Sequence, residues 1–125
     1  MNTLTGTAED NAAAAGLLSF TLFREQLRHV ARFVTAAAPV NVPDAVLKAI
    51  RNNPALSQAR LLTRILAACS GRPASFRSAE ASAFDKEHLA LLVALMDSHD
   101  AGTVPASEWT RAADEADAAQ RDIGG

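Results

Sequence analysis

An all-α fold, a single domain of about five helices, follows from three observations on this 125-residue chain. Alanine occurs 28 times while tyrosine is absent, and valine and isoleucine number only seven and three, a balance that favours helix over strand. Apolar residues recur at spacings of three and four, the period of a helix that buries one face. Prolines and glycines punctuate these stretches, and the length suits one domain. With 49 % apolar and 21 % charged residues, a core can form and global disorder is excluded.

Residues 1–15 carry no apolar periodicity and read as an N-terminal tail. The helical domain is expected over residues 16–121, with 122–125 as a frayed C-terminal tail. The first helix is expected from Leu17, because Leu17, Phe20, Phe23, Leu27, Val30 and Val34 fall on one stripe. Arg24, Arg28 and Arg32 run along a neighbouring face and are expected to meet solvent. Pro39 and Pro43 end this helix, and Pro43 with Asp44 opens a second one that runs to Arg51. Asn53 and Pro54 then read as the cap and first residue of a third helix, with Leu56, Ala59, Leu62 or Thr63, and Leu66 inward. Ser70, Gly71 and Pro73 stop it. Ser82 followed by Asp85 resembles a capping box for a fourth helix carrying Leu89, Leu92, Val93 and Met96, with an earlier start near Ser78 as the alternative. Asp97 to Pro105 reads as a loop, and Ser107 to about Arg121 as a last, alanine-rich helix anchored by Trp109.

The single cysteine, Cys69, excludes an internal disulfide and multi-cysteine zinc sites, and fits a reducing compartment. The longest apolar run, Leu89 to Met96, is too short to cross a bilayer. Glu9 and Asp10 stand where a signal peptide carries positive charge. A cytoplasmic protein without membrane contact is therefore expected.

Catalysis finds little foothold. His29, His88 and His99 are scattered, and neither His88 with Asp85 nor His99 with Asp97 supplies more than two metal ligands. Cys69 falls at a helix C-terminus, where the dipole raises a thiol pKa. Phosphate-binding glycine loops and nucleophile elbows are missing from the chain, so the expectation is a protein that is not an enzyme and has no cofactor.

The segment from Asp97 to Glu108 resembles an EF-hand. Asp97, Gly102, Val104 and Glu108 occupy positions 1, 6, 8 and 12 of such a loop, between helices of matching periodicity. The resemblance implies calcium held by Asp97, the Thr103 carbonyl and Glu108. Positions 3, 5 and 9 hold His99, Ala101 and Pro105, which leaves the ligand set short for a hard cation. A shift of 62 residues also lays Leu27, Val30, Ala31 and Val34 over Leu89, Leu92, Val93 and Met96, and Asn41-Val42-Pro43 over Thr103-Val104-Pro105, as in a degenerate EF-hand-like pair. Separately, Gln58-Ala59-Arg60, Ile65-Leu66, Phe76, Phe84-Asp85, Leu92 and Ser98-His99 resemble an uncharacterised small helical domain of bacterial plasmids and other mobile elements. That resemblance implies an accessory or interaction role in a bacterial cytosol.

Charge is segregated along the chain. Residues 24–77 carry nine bases against Glu25 and Asp44, and residues 78–125 carry ten acids against Lys86, Arg111 and Arg121, a balance of +7 and −7. Either a basic face meets an acidic partner, or the two halves dock and neutralise each other, which a compact domain favours. The functional expectation is a small interaction protein, of accessory, regulatory or immunity type, that docks a protein partner through this polarised surface. Its candidate residues are Arg24, Arg28, Arg32, Arg60 and Arg64, with Asp114, Glu115 and Asp117 on the acidic last helix. The alternatives are the divalent-ion module at Asp97, Thr103 and Glu108, and nucleic-acid binding through the basic middle, where Ser57, Gln58, Arg60 and Arg64 lie on one helix.

Overall fold

The computed structural model describes residues 17–34, 39 and 41–124; the expected tail over residues 1–15 lies outside them. Five α-helices account for most of these residues: α1 (Phe20–Val30), α2 (Val42–Asn52), α3 (Ser57–Cys69), α4 (Lys86–Ala101) and α5 (Ala106–Gly124). A 3-10 helix over Ser78–Ser82 and two short strands, β1 (Leu17–Leu18) and β2 (Phe76–Arg77), complete the chain. The fold is all-α, as the composition and periodicity predict.

Local chemistry explains most of the helix ends. Ser19 caps α1 by accepting from the Leu22 N–H, and Asn41 caps α2 by accepting from the Asp44 N–H, with Pro43 in the first turn. Asp85 caps α4, accepting the His88 N–H at 2.8 Å. At its other end α4 stops on Gly102, whose φ of 66° is the left-handed conformation that glycine adopts without a Cβ penalty. Gly71 does the same beyond α3, at φ 87°.

Five expected boundaries are corrected. Leu17 does not open α1; with Leu18 it pairs antiparallel with Phe76–Arg77, because a partner far along the chain satisfies its backbone. Asn53 and Pro54 form a turn closed by the Leu56 N–H on the Asn53 carbonyl, so α3 begins at Ser57 with Leu56 at its cap. Ser82 ends the 3-10 helix instead of capping α4, a role that passes to Asp85. Asp97 does not open a loop: α4 stays helical through Ala101, and only residues 102–105 separate it from α5. The last helix also continues past Arg121, to Gly124.

The core forms where the helical stripes converge. Phe23, Leu27, Val46, Leu47, Ile50, Leu62, Ile65, Leu66, Phe76, Leu92, Leu95 and Met96 are fully enclosed. Phe23 stacks on Phe76 with ring centroids 4.5 Å apart, which ties α1 to β2. Helix α5 packs on α2 and α3 and buries the large Trp109 ring beside the small Ala112, Ala113 and Ala116. Full burial of each large apolar side chain contributes about 1.5–3 kcal/mol, so the apolar core and not surface charge holds the bundle together.

Candidate functional site

The charged residues meet one another across the bundle. Along α1, Arg24 and Arg28 lie one turn apart and face the last turns of α4. Arg24 binds Asp100, while Arg28 reaches Asp97 and Asp100 at 2.8 Å each. Asp100 is held below the usual carboxylate range by the Arg24 hydrogen bond first and by Arg28 in addition. The Arg28 guanidinium is raised in return, chiefly by its hydrogen bond to Asp97.

A second network joins α2 to α5. Arg111 binds Glu108 at 2.9 Å, Asp44 at 2.8 Å and also Glu115, while Arg51 reaches Glu115 at 2.7 Å. These carboxylates raise the Arg111 pKa, with Glu108 the largest contributor. The hydrogen bond from Arg51, followed by that from Arg111, lowers the pKa of Glu115. Beyond α3, Arg72 bridges Asp114 and Asp117 on α5. Arg64 binds Glu80 and donates to the Ser75 carbonyl, lying 5.4 Å over the Phe76 ring.

Six of the eight residues singled out for partner binding, Arg24, Arg28, Arg64, Asp114, Glu115 and Asp117, therefore stand in intramolecular ion pairs. Arg32 and Arg60 are exposed and form no ion pair among the described residues. The face that sequence spacing assigns to solvent along α1 is thus largely matched from within. Lys48, Arg77, Lys86 and Arg121 are also without an ion pair among the described residues, as are Glu25, Glu87 and Asp122; that residue of charge is net basic.

The residues of the EF-hand-like frame are dispersed over different contacts. Asp97 is paired with Arg28, Glu108 with Arg111, and the Thr103 hydroxyl donates to the Ser98 carbonyl at 3.3 Å. Helical backbone from Asp97 to Ala101 withholds the open twelve-position loop that wraps a calcium ion. Among the described residues no group of three or more His, Cys, Asp or Glu side chains is arranged to hold a metal. Asn41, Val42, Pro43, Thr103, Val104 and Pro105 border one depression of about 350 Å³.

His88, His99 and the Cys69 thiol have neighbours within the fold. His88 Nδ1 lies 2.8 Å from Asp85, and the Asp85 carboxyl is lowered first by the His88 backbone N–H. His99 Nε2 donates to the Cys69 carbonyl at 3.3 Å, its ring edge-on to Trp109 at 5.4 Å. Burial pushes the Cys69 thiol up to about 12.

One exposed aromatic stands apart from these networks. Phe33, just past α1, is 86 % exposed, and the Arg32 guanidinium lies 4.8 Å over its ring while donating to the His29 carbonyl at 2.6 Å. Its signal is that Phe33 falls off the stripe that Phe23, Leu27, Val30 and Val34 share.

Comparison with family models, curated proteins and solved structures returned no match. No helix among the described residues is long and apolar enough to cross a membrane.

Proposed function

We propose that this chain is a non-enzymatic interaction protein that docks an acidic protein partner through the end of α1. The observation that carries this reading is Phe33, 86 % exposed beneath Arg32. Aromatic and arginine side chains dominate binding energy at protein interfaces, where a desolvated ring supplies apolar area and a guanidinium supplies direction. Arg32 keeps its charge available because no carboxylate among the described residues neutralises it. In this reading Arg24, Arg28 and Arg64 order the fold, and Arg32 with Phe33 replaces them as the contact.

A nucleic-acid partner is the second reading, favoured by Arg60, exposed on α3 without an ion pair among the described residues. Affinity purification of the tagged full chain from its host, with and without nuclease, separates the two. A stoichiometric protein that survives nuclease and is lost with Phe33→Ala or Arg32→Ala supports the protein-docking reading. Recovery that vanishes with nuclease, or that Arg60→Ala alone abolishes, overturns it in favour of nucleic acid.

A further inference from the structure

We draw no further inference here: the strongest candidate, the depression of about 310 Å³ between α1 and the 3-10 helix, with Val30 and Ala81 among Glu25, His29, Ser78 and Ser82, carries nothing because nothing in the structure shows what covers it.

Discussion

Cys69 lies at the last residue of α3 with 8 % of its surface exposed, and desolvation is the first reason its thiol is raised to about 12. The helix terminus alone predicts the same direction, but burial is what removes the thiolate from reach. A thiol reagent at pH 8 is expected to label the native protein at least about tenfold more slowly than the urea-unfolded chain. Equal rates would show an accessible sulfur. Gly102 makes a sharper residue-level case. A Cβ added there meets nothing within 4 Å, so the cost of Gly102→Ala is purely that of the left-handed backbone at φ 66°. That cost is about 1–2 kcal/mol, read as a lower urea midpoint with an unchanged m value, and Gly102→Asn is expected to lose less.

At the scale of the element, the α4 N-terminus depends on Asp85, which takes the His88 N–H and also holds the His88 ring and Gln58. Asp85→Ala is expected to cost about 1 kcal/mol in urea unfolding, and Asp85→Asn or Ser to recover much of it because either side chain still accepts from the backbone. How far each element was legible follows from where its signal resides. Helix α2 is legible in the sequence because Asn41, Pro43 and Asp44 are near neighbours and all act on its first turn. The α3 onset is not fixed locally, because Asn-Pro serves equally as a cap with its first residue or as a turn, and the Leu56 N–H decides for the turn. Strand β1 could not be read locally, since Leu17–Leu18 is extended only by pairing with Phe76–Arg77. Gly102 ends α4 in the structure, whereas the EF-hand frame places the same glycine in the middle of a loop. Asp97 to Ala101 is polar enough for either, and the pairing of Asp97 and Asp100 with α1 keeps that turn helical.

Across the whole molecule, opposite charges separated in sequence are brought together. Arg24, Arg28, Arg51, Arg64 and Arg72 all reach acids that lie between Glu80 and Asp117. The segregation was visible in the sequence, but its partners were not, because which acid meets which base depends on how five helices pack. Each exposed pair contributes only about 0–1 kcal/mol and is screened by salt, so the networks bias register more than they secure the fold. Their pH dependence has a definite sign. Asp100 and Glu115 have native pKa values below their unfolded ones, so their contribution is fully present above about pH 4–5 and is lost as pH falls through the native values. Urea midpoints are expected to decline below about pH 4, with a shallower decline in Asp100→Asn; an identical pH profile in that variant would contradict the assignment.

The most direct test of this account is a charge-reversal cycle between α1 and α4. Urea unfolding is measured for Arg24→Glu with Arg28→Glu, for Asp97→Arg with Asp100→Arg, and for the fourfold exchange. The coupling energy removes what each reversal does on its own, including the effect of new cations near the end of α4. If the basic and acidic halves neutralise each other inside one fold, the fourfold variant is more stable than the sum of the two reversals predicts, by about 1 kcal/mol. Strict additivity would contradict the account, and would return the α1 arginines to the surface that meets a partner.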